Sequence, residues 1–256
     1  MRQHSQYCRG LNLRPSFIFL PLAALFPLLG DPLPARDPDG QEQLSKYLDA
    51  TKNQQDQLRG MTMDVDIEAA LPTLSKTGKL HALRYIPKIG AITYKAITFQ
   101  GDNTIKKDVI ARYLEAEQGA GQKTDLAITP ENYKFKYRGL FGSGDWQLHL
   151  FEVSPKRRAV GLFEGWLWLE AKTCLPVREQ GVFVRNPSLF LRKVEFVRDY
   201  HIKDGVAVPV KIDSTIRTRL VGSAELSVRF SNHSRTDADE VRTEQAGHLT
   251  TNGKGH

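Results

Sequence analysis

The residues able to do acid, base or metal chemistry are scattered along this sequence rather than grouped. The histidines that follow residue 35 stand apart from one another and from any cysteine, at His81, His149, His201, His233, His248 and His256. Zinc ligands come at short, regular intervals along a chain, and no such interval occurs here. The sequence therefore predicts no metal site.

Nucleophilic catalysis also lacks the neighbours it needs. Ser143 lies in FGSGD, which has no glycine two residues before the serine as a nucleophile elbow requires, and a tight hairpin turn explains the motif better. Cys174 has no local signature that would pair it with His149 or His201 as a base. No glycine-rich phosphate loop follows a predicted strand. We expect a protein that is not an enzyme and that holds no cofactor.

Acidic residues alternate with apolar ones in MTMDVDIEA, where Asp64, Asp66 and Glu68 fall on one face of a strand. Carboxylates that attack a sugar would have to line the concave side, where the apolar partners point instead, so a solvated face is the simpler interpretation. Removal of residues 1–35 would change the formal net charge from +7 to +5, an excess that is compatible with anionic lipid headgroups or with no charged partner at all. No interleaved basic and aromatic pattern indicates nucleic-acid binding.

The unusual feature is an excess of apolar residues in FEGWLWLEA. A strand over these residues places Phe163 and Leu167 on one face and Trp166 and Trp168 on the other, so neither face is polar. Packing of helices on one face and a loop on the other is one explanation. The alternative is a dry cavity for an acyl chain, in which flexible methionines adapt to the ligand. The predicted cavity residues are Met61, Met63, Val65, Val109, Tyr113, Trp166 and Trp168.

The elements that must position these residues follow from the hydrophobic periodicity. Amphipathic helices are predicted over 41–59 and 104–118, and strands begin directly after Gly60. From Asn132 onward, seven strands with short turns leave no room for crossover helices and must form an antiparallel meander. About ten strands with two helices indicate an α+β fold, in which a strongly curved antiparallel sheet forms an incomplete barrel and helices cover its concave face.

The first 35 residues have the layout of a signal peptide. Arginines precede the apolar run SFIFLPLAALFPLLG, and a small residue, Ala35, offers a cleavage site. A membrane anchor needs roughly 20 apolar residues, more than this run supplies. Cleavage near Ala35 would leave one cysteine, Cys174, which cannot form an internal disulfide. We therefore expect export to a bacterial periplasm, a folded domain over 36–232 and a disordered polar tail over 233–256.

The mature sequence resembles the LolA-like group of outer-membrane lipoprotein carriers. The resemblance covers roughly Gln41 to Ser234 and is carried by the second half, from KYRGLFGSGDWQLHLFEV through FLRKVEFVRDYHIKDGVAVPVKI to RTRLVGSAELSVRFSNHS. It implies an incomplete barrel with a helical lid over a hydrophobic cavity, and no catalytic residue or cofactor. Carriers of this group hold the lid with an arginine near the early strands. Arg84 in LHALRYIPK lies in that neighbourhood, but its local pattern does not match the family's.

The predicted function is that of a periplasmic carrier, which binds lipid or lipoprotein acyl chains in a hydrophobic cavity for transfer toward the outer membrane. Its partners would be those acyl chains and membrane-bound proteins that load and receive them. The alternative is an envelope interaction or structural module whose core is filled by its own side chains. A hydrolase, the third class, requires a polar constellation that the sequence does not contain.

Overall fold

The structure, a computed structural model, describes residues 40–120, 126–144, 146–186, 191–219 and 222–235. The predicted signal peptide over 1–35 and all of the predicted tail beyond Arg235 lie outside these residues. Residues 233–235, which the sequence assigns to the tail, continue the last strand of the sheet. None of the helices in the described part of the chain is long and apolar enough to cross a membrane.

Ten strands form the framework, and the prediction of about ten antiparallel strands is confirmed. They are β1 Met61–Leu71, β2 Lys76–Tyr85, β3 Thr93–Gly101, β4 Tyr133–Ser143, β5 Trp146–Pro155, β6 Phe163–Glu170, β7 Pro176–Phe183, β8 Leu191–Lys203, β9 Val206–Thr218 and β10 Ser223–Arg235. Their order in the sheet is β3-β2-β1-β10-β9-β8-β7-β6-β5-β4. The edge strands β3 and β4 are not paired with each other, so the sheet stays open.

Helices occur in two places, as the periodicity predicts. The first region consists of α1 Gln41–Thr51 and the short α2 Gln54–Leu58, which are separated where Asn53 leaves helical backbone angles. The second begins with a π-helical segment, Ile105–Ile110, and continues directly into α3 Ala111–Ala120. A π-helical turn is rare and widens the helix by one residue, which rotates the side chains that follow it.

The strand register gives the sheet one apolar face. Residues directly opposite each other on antiparallel strands point to the same side, so a row of paired residues defines a face. One continuous row, from β1 to β5, consists of Ile67, Val228, Ile212, Arg198, Glu179, Leu167 and Phe151. We call this side the apolar face and the opposite side the polar face. The acids Asp64, Asp66 and Glu68 lie on the polar face, as predicted.

Both helical regions pack on the apolar face. Ile105, Val109 and Ile110 of the π-helical segment join a cluster with β1, β2, β9 and β10. Tyr47 of α1 joins a second cluster built on β4 to β8. Together the two clusters bury the apolar face at both ends of the sheet. That this face is the concave one stays a prediction from the sequence.

Two glycines face each other across β6 and β7. Gly165 and Gly181 are paired on the apolar face. A Cβ added at Gly165 would lie 2.0 Å from the carbonyl oxygen of Gln180 and 2.6 Å from the Cα of Gly181. Backbone atoms cannot move aside as a flexible side chain can, so only glycine fits this contact.

We expect Gly165→Ala to lower the free energy of unfolding by about 2 kcal/mol or more, because the added methyl group forces the two strands apart. The control is Gly119→Ala in α3, where an added Cβ meets nothing within 4 Å. That exchange is expected to stabilise the protein by about 0.5 kcal/mol, since alanine is the better helix former. Urea denaturation of both variants measures the difference, and equal effects would contradict the close approach of β6 and β7.

Candidate ligand-binding site

The candidate site is the layer between the π-helical segment with α3 and the strands β1 and β2. Apolar side chains from both sides are excluded from water there. Met63, Val65 and Ile105 have no exposed surface, and Val109 is 9% exposed. Tyr113 and Leu114 of α3 pack against the same cluster. The apolar residues of β1 and the apolar stripe of the helix predicted over 104–118 meet in this layer, and each pattern separately predicts a buried side for its element.

Five of the seven predicted cavity residues are brought together in this layer. Met61, Met63 and Val65 lie on the apolar face of β1, and Val109 belongs to the same cluster, while Tyr113 packs against it. The two methionines differ in their surroundings. Met63 is fully enclosed, whereas Met61 also lines a cavity of about 130 Å³ with Val206, Val208, Lys203, Asp204, His233, Ser234 and Arg235.

Trp166 and Trp168 do not belong to this group. Leu167, between them, pairs with Glu179 and Phe151 on the apolar face, so both tryptophans lie on the polar face. The expectation that they share a face with Met61, Met63 and Val65 is wrong, because side chains of a strand alternate and the row of paired residues runs unbroken from β1 to β6. The tryptophan rings are half-buried, 6.4 Å apart, and the guanidinium of Arg138 lies 5.9 Å from the Trp166 ring centroid.

A buried ion pair joins the helical cover to the sheet. Arg84 of β2, 6% exposed, donates from Nη2 to Oε1 of Glu117 in α3 over 2.7 Å. Tyr94 of β3 donates its hydroxyl to the other carboxylate oxygen of Glu117. On the opposite side, Arg84 Nη1 lies 3.4 Å from the sulfur of Met63, and the guanidinium lies 5.6 Å from the ring centroid of Phe230. A charge placed among apolar neighbours in this way is costly without its partner.

The electrostatics of the pair favour the charged form of the arginine. Burial is the largest influence and acts to lower the pKa of Arg84, but the Glu117 carboxylate, together with Tyr94 and Tyr113, outweighs it and the pKa is raised. Burial raises the pKa of Tyr94, and the nearby Glu117 carboxylate raises it further. Both effects hold the proton on the phenol, so Tyr94 acts as a hydrogen-bond donor to Glu117 at neutral pH.

A second pair, with a buried carboxylate and a partly exposed arginine, lies on the same face near the middle of the sheet. Arg198 of β8 donates from Nη1 to Oε2 of Glu179 in β7 over 3.2 Å, and Glu179 is 7% exposed. Burial acts to lower the pKa of Arg198, but Glu179, together with Tyr200 and Tyr113, outweighs it and the pKa is raised. The apolar face therefore carries two arginine-carboxylate pairs, each neutral as a unit.

The sequence contains a signal for these polar residues, although no motif includes them. Each stands at a position whose period assigns it to the apolar side of its element. In β2 the alternation of Leu80 and Ala82 continues with Arg84, and in the second helix the stripe through Ile110 and Tyr113 continues with Glu117. A charged residue in an apolar phase predicts a buried pair. The period cannot identify the partner.

Other chemistry finds no support in the described residues. Across 40–120, 126–144, 146–186, 191–219 and 222–235, no group of three or more His, Cys, Asp or Glu side chains is arranged to hold a metal ion. Cys174 is buried and unpaired by disulfide, and burial raises the pKa of its thiol, which keeps it in the unreactive form.

Comparison with known proteins gives matches among solved structures alone. No family model matches the sequence, and no curated protein matches it. A LolA superfamily protein from Nitrosomonas europaea is 10% identical, with 77% of this chain and 96% of that chain covered and a TM-score of 0.39. A DUF1329 family protein from Desulfovibrio piger is 11% identical, with 79% and 95% covered and a TM-score of 0.40. An outer membrane lipoprotein-sorting protein domain from Vibrio parahaemolyticus is 11% identical, with 79% and 98% covered and a TM-score of 0.35. The LolA-like group that the sequence resembles is thus among the structures to which this chain is similar.

We expect Glu117→Gln to lower the free energy of unfolding by about 3 kcal/mol, because it leaves the charge of Arg84 buried without a counter-charge. The matched control is Glu68→Gln, which removes the carboxylate that accepts from Lys79 on the exposed polar face. Exposed pairs contribute little, so this control is expected to unfold like the parent protein. Urea denaturation measures both, and equal losses in the two variants would contradict a buried role for Glu117.

Proposed function

We propose that the protein is a non-enzymatic carrier of acyl chains in the periplasm, and that the layer between α3 and strands β1 and β2 takes the chain. The observation that carries this proposal is the composition of that layer. It is apolar, it is lined by adaptable methionines, and its helical cover is fixed to the sheet by a buried ion pair. The resemblance of the sequence to LolA-like carriers supports the same function, with transfer of lipid or lipoprotein to the outer membrane.

Affinity would come from the removal of apolar surface from water. Each methylene group that enters the layer contributes about 0.8 kcal/mol, so a long chain binds without any specific polar contact. Met61 and Met63 have three rotatable bonds each and fit chains of different shape. Transfer needs no energy source in this scheme, because an acceptor with a tighter site takes the chain passively.

Ligand entry requires the helical cover to move. The cavity of about 130 Å³ beside Met61 is lined by the turn between β8 and β9 and by the end of β10, not by α3 or β2, and it is smaller than the roughly 300–1,000 Å³ of pockets for drug-sized ligands. Separating α3 from the sheet would open the full length of the apolar layer. The contact that resists this separation is the Arg84–Glu117 pair, together with the Tyr94 hydroxyl that donates to the same carboxylate. We infer that this pair sets the balance between closed and open cover.

We expect protein purified from its own periplasm to carry lipid in native mass spectrometry, and delipidated protein to bind a fluorescent fatty-acid probe. Glu117→Gln destabilises the closed state by about 3 kcal/mol and is expected to raise the rate of probe uptake about a hundredfold, since each 1.4 kcal/mol in the opening equilibrium is a factor of about ten. Glu68→Gln and Trp166→Ala, both on the polar face, are expected to leave uptake unchanged. A protein that is consistently free of lipid and binds no probe would overturn the proposal.

A second candidate function is an envelope interaction module, which the free sheet edges favour. The edge strand β3 is exposed along most of its length, and Ile97 on it is 51% exposed. The other edge, β4, ends in exposed Leu140 and Phe141. An exposed edge can pair with a strand of another protein. Probe binding that is absent, together with protection of β3 or β4 from hydrogen exchange by an envelope fraction, would favour this function over the carrier.

A further inference from the structure

Two hydrogen-bond donors are buried beside the Arg84–Glu117 pair without an acceptor in the described part of the chain. They are Nε of Arg84 and the hydroxyl of Tyr113. Arg84 is more than nine-tenths buried, and its other two nitrogens are engaged by Glu117 and Met63. Buried donors are almost always paired in native proteins, because each unpaired one costs about 1–3 kcal/mol. An acceptor that enters with a ligand would satisfy them.

The two donors approach the apolar layer from opposite sides. Arg84 stands on the apolar face of β2, and Tyr113 reaches down from α3, one helical turn before Glu117. Burial raises the pKa of Tyr113 well above its usual value, and the charge of Glu117 raises it further, while Arg84 acts in the opposite direction. The phenol therefore keeps its proton and remains a donor. Arg84 is bonded to Glu117, and Tyr113 lies one helical turn from Glu117 on the same side of α3, so both donors lie near this carboxylate in the layer that we assign to acyl chains.

The charges around this point decide which acceptor fits. Arg84 is balanced by Glu117, and Arg198, which also acts on the pKa of Tyr113, is balanced by Glu179. An added carboxylate or phosphate would bring an uncompensated negative charge close to Glu117 in a layer that excludes water. A carbonyl oxygen accepts two hydrogen bonds and brings no charge. The site is therefore complementary to a neutral acceptor.

We propose that Arg84 Nε and the Tyr113 hydroxyl together bind the carbonyl oxygen of the acyl group, as an ester in a glycerolipid or an amide in an N-acylated protein. This inference rests on the carrier function and refines it. The carbonyl would fix the depth of the chain, with the methylene groups continuing among Met63, Val65 and Val109. Arg84 would then have two roles, since it holds Glu117 through Nη2 and the ligand through Nε.

Four probes with the same twelve-carbon chain test the inference by calorimetric titration of delipidated full-length protein. Monolauroylglycerol supplies an ester carbonyl, lauroyl ethanolamide an amide carbonyl, lauryl glyceryl ether no carbonyl, and laurate a charged carboxylate. We expect the ester or the amide to bind about tenfold more tightly than the ether, as a hydrogen bond to a charged donor contributes. Tighter binding of the ester indicates an acyl group from a glycerolipid, and tighter binding of the amide indicates one from an N-acylated protein.

The test variant is Tyr113→Phe, which removes a single oxygen atom. Because that hydroxyl has no partner among the described residues, the variant is expected to be at least as stable as the parent protein in urea. The preference for carbonyl probes over the ether is expected to fall to about threefold or less, with binding of the ether unchanged. Leu114→Phe would not test carbonyl recognition, because it alters the volume of the layer instead of removing a hydrogen-bond donor.

The outcomes separate this inference from the carrier function. Equal binding of ester, amide and ether by the parent protein, or a preference that Tyr113→Phe leaves intact, overturns carbonyl recognition and leaves the carrier in place. Tightest binding of laurate overturns the neutral site in favour of an anionic one. If no probe binds, the ether included, the carrier function fails and carbonyl recognition fails with it. A loss of preference in a stable Tyr113→Phe protein supports the inference.

Discussion

One face of the sheet is mainly apolar, and water must be excluded from most of it. In the described part of the chain the ten antiparallel strands form one open layer, and no second sheet packs against it. The chain meets this constraint with helices at two points, since α1 packs over the half built on β4 to β8 and the π-helical segment packs over β1 and β2. The position of each helix follows from the need to cover apolar surface, because isolated short helices are unstable in water.

The helices are attached to the two halves of the sheet by different kinds of contact. Over β4 to β8, Tyr47 of α1 is buried, with its ring centroid 6.5 Å from that of Phe135 in β4, and its hydroxyl donates to the carbonyl of Ile128. Over β1 and β2, smaller aliphatic residues and methionines face the helix, and a charged pair makes the joint. The strength of a buried ion pair depends on the exclusion of water, so we place the proposed opening of the cover in the half built on β1 and β2.

Periodicity in the sequence was sufficient to predict the strands and both helical regions, because period 2 and period 3.6 are set by local geometry. It also predicted that Met63, Val65 and Val109 lie in one layer, since each belongs to the apolar phase of its own element. It failed for the tryptophans, because both faces of β6 are apolar and only pairing with distant strands reveals which face is shared. Periodicity could not predict the partners of Arg84 for the same reason, because Glu117 belongs to a separate element and the contact forms only in the tertiary structure.

The two apolar faces of β6 have different causes, and this resolves why FEGWLWLEA has no clearly polar side. Leu167 and Leu169 are fully buried core residues. On the polar face, the guanidinium of Arg138 in β4 lies over the Trp166 ring, and Arg178, which is bonded to Asp199, is the register partner of Trp168. Arginine stems can shield aromatic rings while their charged ends stay in water. The half-buried tryptophans can therefore be accounted for without a ligand, which leaves the apolar layer under α3 as the place of the proposed acyl-chain site.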